Sequence, residues 1–253
     1  MRLTVIIPMY NEAANIVATL ESLRTQTFKD FTVVIADNAS TDDSAQVAKD
    51  FIKAHSLNWK VIYEPVKGTG SAVASAAEVA IKDGATHIAR TDSDCIADPD
   101  WLANIVSIFE SQGVEMIGGP SLPRTDDIPL SRPRYWFFIA TYEAAHLLSH
   151  LRPQNYSRDL KGRYIMMAGH NMAITADLYQ RVGGFVRTSI DQAHEDIELV
   201  KAVRKVTSNY VFSRKVKMRS SVRRIHHWGV VNSIRWYSGH YYKPEDPTSV
   251  DVR

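Results

Sequence analysis

Cysteine is almost missing from this chain. Cys95 stands alone among 253 residues, which excludes an internal disulfide and a cysteine-based zinc cluster and favours a reducing compartment. Long apolar runs are missing too. The densest cluster, YWFFIATYEAAHLL from Tyr135 to Leu148, is broken by Glu143 and His146 and falls short of the roughly 20 residues that cross a bilayer. The amino-terminal MRLTVIIPMYNEAANI carries one basic residue before a short strand-like run, and reads as neither a secretory signal nor a spanning helix. A soluble or peripheral protein is therefore expected. No charge of one sign dominates, since 30 Lys and Arg face 28 Asp and Glu, so global electrostatics give no reason to expect nucleic acid as a partner. Internal repeats and low-complexity tracts are also absent, which removes solenoids and disordered linkers from consideration.

What the chain does have is alternation. LTVIIP is a short β-branched run of the kind buried in a parallel sheet. Asn11 then stands where it can cap a helix through EAANIVATLESLRTQ, with Ile16, Leu20 and Leu23 on one face. FTVVIADNAS, TDDSAQVAKDFIKAH, WKVIYEP, GSAVASAAEVAIKDG and THIARTD continue the order strand, helix, strand, helix, strand. This predicts an α/β fold with a mostly parallel central sheet, right-handed crossovers and flanking helices. Past Trp101 the pattern loosens. A helix through DWLANIVSIFESQG leads to VEMIGGP, and the proline-rich LPRTDDIPLSRPR reads as an exposed loop. TADLYQRVGGF reads as a short helix capped by Thr175 and ended by Gly183. HEDIELVKAVRKV places Ile197, Val200, Val203 and Val206 at three-residue steps along a longer one. From Arg214 to Arg224, RKVKMRSSVRR is strongly basic and points to a local anionic ligand.

In parallel α/β sheets ligands lie beyond the carboxyl ends of the strands. Those ends carry PMYNE, ADNAS, EPVKGTG and TDSD. The last is the sharpest signal, because Asp92 and Asp94 close a core strand with only Ser93 between them. On an extended segment they point to opposite faces. One can take a divalent cation while the other accepts hydrogen bonds from a sugar hydroxyl or holds the loop. Mg²⁺ and Mn²⁺ prefer carboxylate and phosphate oxygens, and a cation bridging Asp94 to a diphosphate would offset the carboxylate repulsion. Aspartates are equally routine in turns and helix caps, so the pair alone does not decide.

VIIPMYNEAANI, ADNASTDDS, KGTG, TDSDC, GHNMAITADLYQRVGGF and HEDIEL follow one another between Leu3 and Val203. In order and spacing they resemble the family 2 glycosyltransferases of the GT-A fold. The resemblance implies a Rossmann-like domain over residues 1–213, with a nucleotide-binding half to about residue 100 and an acceptor half beyond it. Residues 214–253 are then a basic, aromatic extension packed on the same domain. It also implies inverting, metal-dependent transfer of a sugar from a nucleotide diphosphate, UDP-sugars being the commonest donors. Pro8, Tyr10 and Glu12 would frame the base and ribose, and Asp37 would accept from the base. Lys67, Gly68 and Gly70 would lie by the nucleotide. Asp92, Ser93 and Asp94 would meet ribose and metal, Mn²⁺ or Mg²⁺. Gly169, His170 and Asn171 would border the diphosphate and sugar. Asp196 would be the general base, and Glu195 would hold the acceptor or the loop. Many relatives read DDGSTD where this chain has DNASTD, so Asn38 replaces an acid.

In the tail, His226 or His227 would suit the metal sphere, and Arg223 and Arg224 the diphosphate. The QxxRW signature of polymerising relatives is absent, although Arg235 and Trp236 adjoin, so single additions are expected. Tyr135, Trp136, Phe137 and Phe138 leave an acceptor groove, a homodimer contact and a peripheral membrane contact open, with core packing as the default. The acceptor is a glycan, a lipid-linked intermediate or a small molecule, and the place of work the cytoplasm or the inner face of the cell membrane, in keeping with surface-polysaccharide synthesis. Two rivals remain. A sugar nucleotidyltransferase usually opens with a glycine- and arginine-rich loop, where this chain has PMYNEAAN; a scaffold that binds nucleotide sugars without catalysis has no need of Asp196.

Overall fold

A short run of β-branched and apolar residues bounded by a polar turn makes a strand with no exposed side, and β1 (Leu3–Met9) is buried at every position. The computed structural model describes residues 1–149, 151, 155–187, 194–229 and 232. β1 is flanked in parallel by β2 (Phe31–Asp37) and β4 (His87–Arg90), with β3 (Lys60–Tyr63) beyond β2. The sheet then continues through β8 (Met172–Thr175), β6 (Met116–Gly118) and β9 (Tyr210–Phe212), giving the order β3-β2-β1-β4-β8-β6-β9. β8 is antiparallel to both its neighbours. A second sheet joins β5 (Ile96–Ala97), β10 (Met218–Ser220) and β7 (Ser121–Pro123).

Alternate residues of β1 serve opposite layers. Val5 and Ile7 pack with Leu20 and Leu23 of α1 (Ile16–Arg24) and with Trp101 and Ile105 of α4 (Trp101–Gln112). Ile6 packs on the other side with Ala72, Ala76 and Ala80 of α3 (Thr69–Lys82) and Leu199 and Val203 of α7 (Glu195–Val206). The remaining helices are α2 (Ser44–Ala54), α5 (Arg132–Ser149) and α6 (Ala176–Arg181).

Several sequence expectations are corrected. Asn11 does not cap α1, whose N-cap position is Asn15, four residues later; it adopts φ 51° and its Oδ1 accepts from the Thr41 amide at 2.8 Å, tying two turns together. Asparagine tolerates that left-handed conformation better than most residues. The three-residue steps along α7 mislead as well. Ile197 and Val206 are exposed, because the buried stripe follows four-residue spacing through Glu195, Leu199 and Val203. The segment after β7 is not wholly exposed, since Arg124 is buried against Asp126 and the Asp94 carbonyl. The aromatic cluster is not core either: α5 buries only Ser149, while Trp136, Phe137, Leu147 and Leu148 face outward. Among the described residues no helix is long and apolar enough to cross a membrane. Arg235 and Trp236 lie outside the described residues.

The two sheets are pinned together by one amide. The Trp101 indole N–H donates to Asn171 Oδ1 at 2.9 Å, and Asn171 Nδ2 donates to the carbonyls of Pro120 and Val216, both at 2.9 Å. Gly119 passes so close that a Cβ there would lie 1.9 Å from the Val216 carbonyl oxygen and 2.7 Å from Asn171 Nδ2. Backbone cannot yield as a flexible side chain can, so overpacking at this point is costly. Gly119→Ala is expected to lower unfolding stability by about 3 kcal/mol or more, measured as the midpoint of denaturant unfolding; an unchanged midpoint would contradict this account of the junction.

Candidate active site

Because β1 and β2 run in register from Leu3↔Phe31 to Met9↔Asp37, their polar turns start at the same level. Asn38 then organises three turns at once. Its backbone N–H donates to the Met9 carbonyl at 2.8 Å, its Nδ2 to the carbonyls of Glu64 and Val66, and its Oδ1 accepts from the Gly68 amide at 2.7 Å. An ionised aspartate has no donor for those two carbonyls, so the amide here shapes the Lys67–Gly70 turn. Lys67 Nζ stands 5.2 Å from the centre of the Tyr10 ring, and Gly70 is buried in the first turn of α3. Asp37 is 6% exposed, and its buried Oδ1 has no hydrogen-bond partner among the described residues. A buried acceptor left open is costly without a ligand. Pro8 lies inside β1 and is buried there.

The acid pair follows β4. Ser93 is buried and its carbonyl accepts from Thr19 Oγ1, fixing the turn on α1. Asp92 and Asp94 remain partly open, with side chains 34% and 25% exposed. Each is held by an arginine. Arg90 Nη2 reaches Asp92 at 3.3 Å, and Arg223 Nη2 reaches Asp94 Oδ2 at 3.0 Å. Arg223 also reaches Glu12 Oε1 at 2.5 Å. Glu12 is thus turned toward Asp94 and almost fully buried; burial, with Asp94 adding, pushes its carboxyl up to about 7 against the pull of Arg223. Cys95 is buried beside the pair, and burial followed by the two aspartates drives its thiol well above the usual range, so it is not a nucleophile.

Opposite the pair stands the start of α7. Asp196 accepts from the Gly169 amide at 2.9 Å and from its neighbour Ile197 at 2.8 Å. Burial, reinforced by Glu195, raises its carboxyl, while Arg90 and the two amides pull it back. Glu195 is buried and accepts from Arg90 Nη2 at 2.8 Å. Arg90 is only 3% exposed, and it passes so close to Gly169 that a Cβ there would meet its Cζ at 2.9 Å. Burial lowers the His170 imidazole, against the opposing pull of Asp92, Asp94 and Asp196, and its Nε2 lies 2.8 Å from Ser121 Oγ. His170 thus stands among all three acids, with burial favouring its neutral form.

The structure brings Tyr10 and Lys67 together past the ends of β1 and β2, where Asp37 also lies, and gathers Asp92, Asp94, Gly169, His170, Glu195 and Asp196 around Arg90. Asn171 is different: it is fully buried with its amide filled by protein partners, so it braces the site from behind. His226 faces elsewhere, lining a small cavity with Leu130, Arg134, Phe137 and Phe138, its ring against that of His227. Among the described residues no three His, Cys, Asp or Glu side chains form a group that could hold a metal, so neither histidine joins the acid pair here. The residue that sequence reasoning missed is Arg90. Its signal was present, because a lone arginine inside the apolar run of THIARTD must find a carboxylate if it is buried.

Comparison with known proteins gives the family and the fold. A family model described as Glycosyl transferase family 2 matches residues 4–183. Glycosyltransferase AglE of Haloferax volcanii is 34% identical over 118 residues, 46% of this chain and 38% of that protein. Glycosyltransferase GlyA of Streptococcus pneumoniae is 26% identical over 118 residues, 46% of this chain and 16% of its own. The chain thus spans well under half the length of these relatives. Among solved structures, the mannosyltransferase PcManGT from Pyrobaculum calidifontis, in complex with GDP-Man and Mn²⁺, superposes with TM-score 0.63 at 20% identity, covering 97% of this chain and 66% of that one. TarS 1–349 of S. aureus, in complex with UDP, gives TM-score 0.63 at 17% identity, covering 92% and 64%. At such identities the likeness establishes the GT-A fold.

Removing Arg90 leaves buried acid without its cation, which typically costs about 3–5 kcal/mol. Arg90→Gln is expected to lose roughly that much stability at about pH 8, and less near pH 5. The sign follows from Asp196. Its folded pKa lies above the unfolded value, so its contribution falls as pH rises from the ordinary carboxylate range to the raised one. Without Arg90 that upper limit moves higher. Denaturant titrations at the two pH values measure this, and a loss independent of pH would rule out the charge as the cause.

Proposed function

The chain belongs to glycosyl transferase family 2, and on that premise we propose that it moves a sugar from a nucleotide diphosphate to an acceptor hydroxyl with inversion at the anomeric carbon. The observation that carries this reading is the meeting of Asp196 with the strand-end acids around Arg90 and His170. Inversion needs a base on the face of the sugar opposite the leaving group. Asp196 has both oxygens aimed by backbone amides, and a carboxyl raised by burial is a stronger proton acceptor than an exposed one. The acceptor oxygen forms its bond to the anomeric carbon as its proton passes to Asp196. The bond from that carbon to the diphosphate oxygen breaks with its electron pair, and the diphosphate leaves. Glu195, engaged by Arg90, holds the loop beside the base.

On the donor side Asp37 offers its open Oδ1 to the base, with Tyr10 and Lys67 along the nucleotide. UDP is the first candidate and GDP the second, since one structural neighbour was solved with UDP and the other with GDP-Man. Asp94 and Asp92 fit a hard divalent cation, Mn²⁺ or Mg²⁺, because such ions take one or two carboxylates and complete their shell with phosphate oxygens and water. When bound, the ion would offset charge on the departing diphosphate.

Calorimetric titration of UDP, dTDP and GDP, with and without Mn²⁺, tests the donor side. One nucleotide is expected to bind with a requirement for metal, and Asp94→Ala to abolish that requirement together with most of the affinity. For the base, Asp196→Asn is expected to keep nucleotide binding and slow transfer by about 10²- to 10⁴-fold. An unimpaired rate in that variant sinks the assignment.

A further inference from the structure

Arg223 occupies the place where a metal ion would have to act. Its Nη2 contacts Asp94 Oδ2 and Glu12 Oε1, while its Nε lies 3.2 Å from Ser221 Oγ. Both acids belong to the strand-end turns, whereas Arg223 arrives 129 residues after Asp94, from the segment that follows β10 and begins a helical stretch at residues 223–229. The second oxygen of Glu12 accepts from Asn15 at 2.8 Å. The main-chain oxygen of Asp94 is taken by Arg124. One guanidinium therefore bridges two carboxyl groups in a site only 19% open at the arginine.

We propose that Arg223 is a resident counter-cation, holding Asp94 in the absence of donor and releasing it only when metal and nucleotide diphosphate arrive together. This rests on the reading that a divalent cation and a diphosphate bind at Asp94. Guanidinium keeps its proton at all accessible pH, so it cannot be discharged to make room and has to move. Metal alone gives it nowhere to go, because leaving Glu12 and Asp94 strands its own charge beside an incoming one. A metal with a diphosphate brings new acceptors, and guanidinium geometry matches phosphate oxygens. Arg223 then exchanges carboxylate for phosphate. The consequence is a site that takes up metal poorly until the nucleotide is present.

A site whose competent state is populated only part of the time binds its ligand more weakly by that fraction. If Asp94 is free about a tenth of the time, removing Arg223 should tighten Mn²⁺ binding about tenfold. The test is titration of the full chain with Mn²⁺ alone, counting free ion by electron paramagnetic resonance, in wild type, Arg223→Gln and Arg223→Lys. It is then repeated with saturating UDP or GDP. Arg223→Gln is expected to bind Mn²⁺ alone about tenfold more tightly than wild type. Arg223→Lys, whose ammonium is more compact, should fall between them. Nucleotide should strengthen Mn²⁺ binding more in wild type than in Arg223→Gln. Circular dichroism checks folding, and should the glutamine variant fail to fold, the lysine variant alone must still bind Mn²⁺ more tightly than wild type. If wild type binds metal with nucleotide and neither folded variant gains affinity for Mn²⁺ alone, the inference is overturned and Arg223 merely anchors its segment. If no form binds metal or nucleotide, the metal reading of Asp94 fails and takes this inference with it.

Discussion

A guanidinium sealed from water at the end of the central strand is the constraint around which this protein is arranged. Arg90 is 3% exposed, and its charge is balanced by Asp92 in the turn just after its strand and by Glu195 on a helix 105 residues later. A buried charge without partners is far more costly than any single contact in the core. The sheet end at β4 and the start of α7 are therefore tied to each other through one charge. Gly169 follows from the same charge, since only a residue without Cβ lets the backbone lie against the guanidinium. Its amide then aims Asp196.

Two arginines divide the acids of the site between them. Arg90 serves Asp92 and Glu195 from inside the sheet, and Arg223 serves Glu12 and Asp94 from its rim. The first is locked by burial. The second is partly open, held by two carboxylates at the edge of the site. Their exposures, 3% against 19%, set an enclosed charge apart from one that solvent reaches.

The first hundred residues were legible because their signals are local. Each strand is a continuous apolar run and each helix has its own stripe, so LTVIIP, FTVVIAD and THIAR read correctly without knowledge of their neighbours. The chain past Trp101 was not, because its elements are defined by distant partners. MAIT is too short to identify itself as a strand, and becomes β8 only by lying between β4 and β6. Arg124 reads as loop until the Asp94 carbonyl is seen beside it. For the candidate site, motif order pointed to residues that the fold does bring near one another, but not to the contacts each one makes. Asn171 looked like a ligand donor and is a brace; Glu12 looked like a ribose contact and faces Asp94 through Arg223. Burial decides such duties, and no pattern in the chain states it.

The placement of β8 also bears on how the chain assembles. When a growing polypeptide has delivered its first four long strands, β4 stands at the margin of a partial sheet with one row of backbone groups unpaired, and β6, made next, cannot fill the gap. Only the chain through Thr175 closes it, by an antiparallel strand drawn from 82 residues beyond the end of β4, Met172 against Arg90. An open edge of this kind invites pairing with other chains, and charge is the usual deterrent. Arg90 sits on that strand. The arginine that pairs with Glu195 in the finished fold is thus also a charge on the strand that waits for β8.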